Sequence, residues 1–289
     1  MQYVIGKTSR LGNREINQDR LAALERDNVV LLVLGDGLGG RAGGEFASQT
    51  LVDTVSDEFS NAQLPIKRPK EFMTRALHRA HFSVVDGGKK QEPPVNPGTT
   101  AVLCLIQNGK AWWAHVGDSR LYLFRGGVPI YRTKDHSFVE KLYQHGKISH
   151  DKRANHPLRN YMTRCIGMSD NIPEVTVSNE VELHSGDIIM LCTDGMWEPM
   201  DDMKMGVKIQ DGRLSDALSG IAEEAEKESY PNSDNITAVA IQIMSLQLIG
   251  RALKDAENKP VSAVTNMDPV QNAIDVIEST IKLYEHELK

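Results

Sequence analysis

Cysteine is scarce in this sequence, which contains only Cys104, Cys165 and Cys192, far apart from one another. Two of the three fall inside apolar runs typical of strands, where a cysteine usually behaves as a small buried hydrophobic residue. We therefore assign the cysteines no catalytic role.

The sequence also lacks an excess of positive charge and any long apolar run. Its 33 Lys and Arg residues against 39 Asp and Glu give a net charge of −6, so no overall field attracts nucleic acid or anionic lipid. No apolar stretch approaches the roughly 18 residues needed to span a bilayer, and residues 1–7 show no secretory pattern. These absences predict a cytoplasmic protein that binds neither nucleic acid nor membrane, and any phosphate binding would have to be local.

What the sequence does contain is the pattern of a layered α+β domain. The apolar, β-branched run at 28–34 predicts a buried strand that ends at Gly35-Asp36-Gly37. Residues 45–59 and 71–85 carry apolar side chains at helical spacing and predict two amphipathic helices. Further predicted elements are strands at 174–183, 187–192 and 235–244 and a helix at 214–229. Strands flanked by helices at both ends of the chain indicate the α+β class.

Between these elements, residues 99–131 alternate apolar runs with turn signals. The turn signals are spaced as in successive hairpins: Asn108-Gly109, Gly117-Asp118 and Gly126-Gly127. This spacing predicts an antiparallel meander in which each strand pairs with the next one along the chain.

The character of the chain changes beyond residue 244. Residues 257–266 are polar and predict a linker, and Asp268, Pro269 and Gln271 suit the capped start of a final helix. That helix would carry one apolar seam: Val270, Ile274, Ile277, Ile281, Tyr284 and Leu288. We therefore predict a domain at 1–245 and a helical C-terminal extension at 246–289. The seam leaves open whether the helix packs on its own domain or forms a dimer or partner contact.

Four aspartates share one setting, a turn at the end of a predicted strand: Asp19, Asp36, Asp194 and Asp234. One such aspartate is explained by hydrogen bonds to the backbone of its turn, but four favour a common role. Carboxylates brought together repel unless a cation lies between them, and Mg²⁺ or Mn²⁺ binds oxygen ligands without Cys or His. Two such ions spaced about 3.5 to 4 Å apart could activate a water for attack on phosphorus.

An ordered series of motifs spans residues 6–244. The series includes Arg14 with Gln18-Asp19, Gly35-Asp36-Gly37-Leu38-Gly39-Gly40, Gly98-Thr99-Thr100-Ala101, His115-Val116-Gly117-Asp118-Ser119-Arg120, Asp135-His136-Ser137, His156-Pro157, Thr163-Arg164, Thr193-Asp194-Gly195 and Asp234-Asn235. Through these motifs the chain resembles the protein phosphatase 2C family, the metal-dependent Ser/Thr phosphatases, in its bacterial form. The resemblance implies a four-layer α/β/β/α sandwich of two antiparallel sheets flanked by helices, with a metal cleft at one edge between the sheets.

The resemblance also implies roles for individual residues. Asp36 would bridge two metal ions, Mn²⁺ or Mg²⁺, and the Gly37 carbonyl would bind one of them. Asp19, Asp194 and Asp234 would complete the coordination, and Asp118 would help to hold a third, weaker ion unless it is simply a hairpin-turn aspartate. Arg14 would bind the phosphate, so Arg14 and Asp36 are the predicted catalytic residues.

The implied reaction is hydrolysis of phosphoserine and phosphothreonine on other proteins by direct attack of a metal-bridging hydroxide. Its substrates would be phosphorylated proteins, and a cognate Ser/Thr kinase is a candidate partner. Some family members have a histidine after the Asp-Gly pair as a candidate general acid, whereas this chain has Leu38, so the proton for the leaving group comes from another source. Two other functions stay open: a catalytically inactive, phosphatase-like binding module, and a small-molecule phosphatase on the same fold.

Overall fold

The computed structural model describes residues 1–38, 43–149, 152–153, 156–168 and 171–246. The predicted linker and final helix, at 257–288, lie outside the described residues. The division of the chain at 245/246 therefore remains a prediction.

The described residues form thirteen strands and six helices. The strands are β1 (Gln2–Arg10), β2 (Asp19–Arg26), β3 (Val29–Asp36), β4 (Gly98–Thr99), β5 (Ala101–Gln107), β6 (Lys110–Val116), β7 (Arg120–Arg125), β8 (Val128–Arg132), β9 (Ile166–Gly167), β10 (Thr176–Val177), β11 (Val181–Glu182), β12 (Ile188–Cys192) and β13 (Ile236–Ser245). The helices are α1 (Gly44–Ser60), α2 (Pro69–Lys89), α3 (Phe138–Gln144), α4 (Asp194–Trp197), α5 (Asp202–Gln210) and α6 (Leu214–Ser229).

Two antiparallel sheets form the centre of the domain. The first has the strand order β1-β13-β12-β7-β8, and the second has the order β10-β6-β5-β3-β2, with β11 also paired to β6. A short two-stranded ladder joins β4 and β9. Some neighbours in each sheet come from distant parts of the chain, such as β1 and β13 in the first sheet and β6 and β10 in the second, so each sheet mixes earlier and later sequence.

Three separate apolar clusters hold the layers together. Strand β3 contributes to two of them by alternation: Leu31 packs in the cluster formed with α1 and α2, whereas Leu32 packs between the two sheets with Leu191. A third cluster joins the first sheet to α4, α5 and α6 and includes Met190 and Leu218. Three interfaces between four layers make an α/β/β/α sandwich, and the predicted fold class is confirmed.

The predicted meander over 99–131 is wrong at its middle turn. Strand β5 pairs with β6 and β7 pairs with β8, but β6 and β7 lie in different sheets. Gly117, at a φ of 110°, turns the chain from one sheet to the other, and a Cβ there would lie 2.8 Å from Thr100. Strands β6 and β7 are buried along nearly their whole length, so their sequence pattern does not show which strand each one pairs with.

The other predicted elements that fall within the described residues match the structure closely. The strand predicted at 174–183 is the exception, because it forms two short strands, β10 and β11, that both pair with β6. Within the part of the chain that the structure describes, no helix has the length and apolar character required to cross a bilayer.

Candidate metal centre

Asp19 and Asp36 lie opposite each other at one end of the β2–β3 ladder. Asp19 begins β2, Asp36 ends β3, and the two are direct partners in the register. The Asp36 amide donates to the hydroxyl of Thr100 at 2.9 Å, and the Asp36 carbonyl accepts from the Thr100 amide at 2.9 Å. These bonds fix the end of β3 where the two carboxylates meet.

Asp194 and Asp234 reach the same region from the other sheet. Asp194 begins α4 just after β12, and Asp234 lies two residues before the start of β13. Because β12 and β13 are antiparallel neighbours, the end of one and the start of the other lie at the same edge. Helix α4 can start there only because residue 195 is glycine, since a Cβ at Gly195 would lie 2.2 Å from the Asn235 carbonyl oxygen.

Asp118 lies on the crossover between the sheets, and not in a hairpin turn. Its carbonyl accepts a hydrogen bond from the Trp197 indole at 3.1 Å. The Arg120 guanidinium stacks on the Trp197 ring at 3.3 Å and makes two bonds to Asp135, of 2.8 and 2.7 Å. The buried Arg120 guanidinium thus stabilises the crossover through its contacts with Trp197 and Asp135.

The five aspartates form one electrostatic unit. Burial raises the pKa of Asp36 well above its ordinary value, and neighbouring carboxylates raise it further: Asp19, Asp194, Asp118 and Asp234. Burial likewise raises the pKa of Asp194 well above its ordinary value, with Asp118 and Asp234 the largest of the charges that add to it. The pKa of Asp19 rises to about 6 and that of Asp118 to about 7, in both cases chiefly because of burial. Without a cation, the site resists carrying its full negative charge.

Two carboxylate oxygens indicate what kind of ligand fits this site. Oδ1 of Asp19 and Oδ1 of Asp194 are buried and have no hydrogen-bond partner among the described residues, which is costly for a polar group. In the ranges that the structure describes, no group of three or more His, Cys, Asp or Glu side chains is positioned to hold a metal ion by itself. Mg²⁺ and Mn²⁺ fit such a site, because they take oxygen ligands and keep several waters. The donors that could hold these ions are the five aspartates and the Gly37 carbonyl.

Arg14 lies on the β1–β2 loop at the edge of this cluster. Its Nη2 donates to Oδ2 of Asp234 at 2.7 Å, and half of its side chain remains exposed. Asn235 fixes the loop, since its side-chain oxygen accepts from the Gln18 amide at 2.8 Å and its Nδ2 donates to the Leu11 and Ile16 carbonyls. The structure therefore brings every predicted site residue into one region.

The histidines near the site are held by the main chain. Nδ1 of His136 accepts from the Gly117 amide at 3.1 Å, and Nε2 of His115 lies 2.8 Å from the Lys134 carbonyl. Burial lowers the pKa of His136 to about 3. His136 is therefore neutral at physiological pH, and the Gly117 amide occupies one of its two ring nitrogens.

A cavity of about 400 Å³ opens beside Asp118 and Asp194. Its walls include Arg132, Trp197 and Glu198. The opening is large enough for a side chain of a bound peptide to lie next to the aspartates.

Sequence reasoning gave no role to three residues that organise the site: Trp197, Asn235 and Thr193. Each acts through a partner far away in the sequence, such as Asp118 for Trp197 and Gln18 for Asn235. For Thr193 and Asn235, the available signal was their position beside predicted aspartates, as in Thr193-Asp194 and Asp234-Asn235.

Comparison with known proteins gives a consistent assignment. The family described as Protein phosphatase 2C matches residues 7–233. The serine/threonine phosphatase stp of Listeria monocytogenes is 28% identical over 240 residues, covering 82% of this chain and 94% of the relative.

Two solved structures extend the match to the fold. The serine/threonine phosphatase of S. agalactiae superposes with a TM-score of 0.76 and 25% identity, over 84% of this chain and 100% of that chain. The catalytic domain of the phosphatase PstP, solved with two manganese ions, gives a TM-score of 0.70 and 26% identity, over 84% and 99% of the two chains. With a family match over most of its length and this shared fold, the chain belongs to the protein phosphatase 2C family.

Proposed function

We propose that this protein is a metal-dependent protein serine/threonine phosphatase that uses two Mn²⁺ or Mg²⁺ ions, with a third, weaker site at Asp118. The observation that carries the proposal is the convergence of five aspartates with two buried, unpartnered carboxylate oxygens. The serine/threonine phosphatases among its relatives support phosphorylated proteins as the substrates. The two manganese ions of PstP support the choice of metal.

The residues of this chain have distinct parts in the reaction. Asp36, which lies among the other four aspartates, would be shared by two ions, and Asp19, Asp194 and Asp234 would complete their coordination with the Gly37 carbonyl. When bound, the ions supply a water of lowered pKa and offset charge on the phosphoryl oxygens. Leu38 has no proton to donate, so the chain places no acid directly after the Asp-Gly pair.

Arg14 would orient the phosphoryl group. Only Nη2 is committed to Asp234, so the rest of its planar guanidinium can donate to two phosphoryl oxygens. The same ion pair aims the guanidinium toward the aspartates. Arg14 therefore links the substrate to the edge of the metal centre.

Hydrolysis of phosphothreonine and phosphoserine peptides in Mn²⁺, Mg²⁺ and EDTA tests the proposed function. We expect turnover with either ion and none in EDTA, with recovery when Mn²⁺ is restored. Full turnover in EDTA would exclude metal dependence. An absence of turnover on p-nitrophenyl phosphate and on every peptide would favour a binding module, and turnover confined to small phosphate esters would favour a small-molecule phosphatase.

Substitutions of Arg14 should distinguish the contribution of its positive charge to phosphate binding from that of its planar, forked guanidinium. We expect Arg14→Ala to lower kcat/KM by at least about 100-fold, because it removes two charge-assisted hydrogen bonds worth about 1.5–3 kcal/mol each. Arg14→Lys should recover only part of the loss, since lysine keeps the charge but not the fork. Steady-state kinetics and inhibition by inorganic phosphate measure both effects.

Arg10 offers a matched control nearby on the chain. It ends β1 and pairs with Glu226 at 2.6 Å, away from the aspartates, so Arg10→Ala should keep wild-type kinetics. Equal losses in the Arg10 and Arg14 variants would contradict a specific role for Arg14.

A further inference from the structure

Thr193 occupies an unusual place for a residue that begins a helix. It lies between the end of β12 and Asp194, at the N-cap position of α4, and it is fully buried. Threonine at this position commonly accepts a hydrogen bond from the first turn of its helix. The Thr193 side chain makes no such bond, so its hydroxyl is free for another partner.

That partner is a carboxylate of the opposite sheet. The Thr193 hydroxyl lies 3.0 Å from Oδ2 of Asp19, across 174 positions of sequence. The same hydroxyl accepts from the Thr237 amide at 3.0 Å. The Thr237 carbonyl is a second acceptor but lies farther away, at 3.4 Å. Because a charged acceptor at shorter distance makes the stronger bond, the hydroxyl proton points at Asp19.

The bond determines which oxygen of Asp19 remains available. Oδ2 accepts a hydrogen bond from Thr193, whereas Oδ1 is buried without a partner in the part of the chain that the structure describes. Thr193 is itself held by its main chain, whose amide donates to the Thr237 carbonyl at 3.0 Å. One hydroxyl thus joins β13 of the first sheet to β2 of the second, directly beside Asp194.

We propose that Thr193 is a positioning residue of the metal centre, holding the Asp19 carboxylate by Oδ2 so that Oδ1 is left for a divalent cation. The inference rests on the proposed metal-dependent function. Groups that orient a ligand by hydrogen bonding commonly contribute about 10- to 100-fold in metal affinity. Thr193 would contribute in this way although it touches neither the ion nor the substrate.

The test is a titration with Mn²⁺ in the absence of substrate. Electron paramagnetic resonance measures the concentration of free Mn²⁺ at each point of the titration. Thr193→Val keeps the shape and removes the hydroxyl, and we expect it to weaken Mn²⁺ binding by about 10- to 100-fold. Thr193→Ser keeps the hydroxyl and should bind nearly as the wild type does. Thr193→Ala is measured in parallel, so that at least one hydroxyl-free variant with a wild-type circular dichroism spectrum is compared.

Two further variants distinguish a positioning role of Thr193 from a general loss of packing in the protein. Thr133 is also buried, and its hydroxyl accepts from the Leu121 amide at 3.0 Å, so Thr133→Val makes the same change away from Asp19 and should leave Mn²⁺ affinity unaltered. In an Asp19→Asn background, Thr193→Val should cause no additional loss.

The outcomes separate the inference from the function on which it rests. Wild-type affinity in Thr193→Val, an equal loss in Thr193→Ser, or an equal loss in Thr133→Val would each overturn the positioning role while leaving the phosphatase intact. A wild-type protein that binds no Mn²⁺ would instead overturn the proposed metal centre, and the positioning role with it.

Discussion

Asp36→Asn should lower kcat on a phosphothreonine peptide by more than about 1000-fold, the largest loss we expect from any single substitution in the chain. Asp36 lies among four other aspartates, each of which raises its pKa. The amide of asparagine has one oxygen and no charge, so it cannot serve two cations as a carboxylate does. The measurement is single-turnover and steady-state kinetics at saturating Mn²⁺.

The same variant should also bind Mn²⁺ more weakly, as followed by titration without substrate. Its circular dichroism spectrum should remain that of the wild type, because the main-chain bonds of Asp36 to Thr100 do not involve the replaced carboxylate. Asp53→Asn is a matched control on α1, where the carboxylate accepts only from Gln49. Turnover within tenfold of wild type in Asp36→Asn would remove Asp36 from the centre of the mechanism.

Asp194→Asn should have opposite effects on activity and on the stability of the metal-free protein. Activity should fall, because a ligand carboxylate is lost. The free energy of unfolding in EDTA should rise, because burial and neighbouring carboxylates raise the pKa of Asp194 in the folded state. A group whose pKa is raised by folding favours the folded state while protonated, and this contribution disappears as the pH increases.

The increase in the free energy of unfolding that Asp194→Asn causes in EDTA should therefore become larger as the pH rises. It begins above pH 4, where the carboxyl of the unfolded chain ionises, and increases by at most about 1.4 kcal/mol per pH unit until the folded-state carboxyl also ionises. Urea denaturation in EDTA at several values between pH 5 and pH 8 measures it. With Mn²⁺ present the wild type should instead be more stable than Asp194→Asn, since the ion stabilises the wild type by binding the folded state.

Asp216→Asn serves as the control for the stability measurement. Asp216 is exposed and pairs with Arg213 on the surface, where ion pairs contribute little. A metal-free Asp194→Asn protein that is less stable than the wild type at pH 8 would show that the cost of burying the Asp194 charge beside the other aspartates does not dominate at this site.

Local sequence pattern was sufficient to predict the helices that bury one face and the presence of a short, fully apolar strand. The spacing of apolar residues predicted α1, α2 and α6, and a short β-branched run predicted β3. It failed between β6 and β7, because both strands are buried on two sides and the pattern then carries no information about pairing. The turn at Gly117-Asp118 has the composition of a hairpin, yet the chain crosses between sheets there.

The residues of the candidate site also fall into those that the sequence pattern predicts and those that it does not. The five aspartates and Arg14 could be predicted because each stands in a recognisable short motif. Thr193 and Asn235 could not be assigned a role, because their partners lie 174 and 217 positions away. A threonine before an aspartate normally indicates a helix cap, and only the three-dimensional arrangement shows that its hydroxyl is used elsewhere.

The crossover at Asp118 has a consequence for protein engineering. Asp118 connects the two sheets, Asp19 and Asp36 come from one of them, and Asp194 and Asp234 come from the other. No single loop or hairpin carries more than a fraction of the donors. Grafting this chemistry onto a foreign scaffold would therefore require transplanting a pair of facing sheets, whereas a peptide copied from any one motif should be inert.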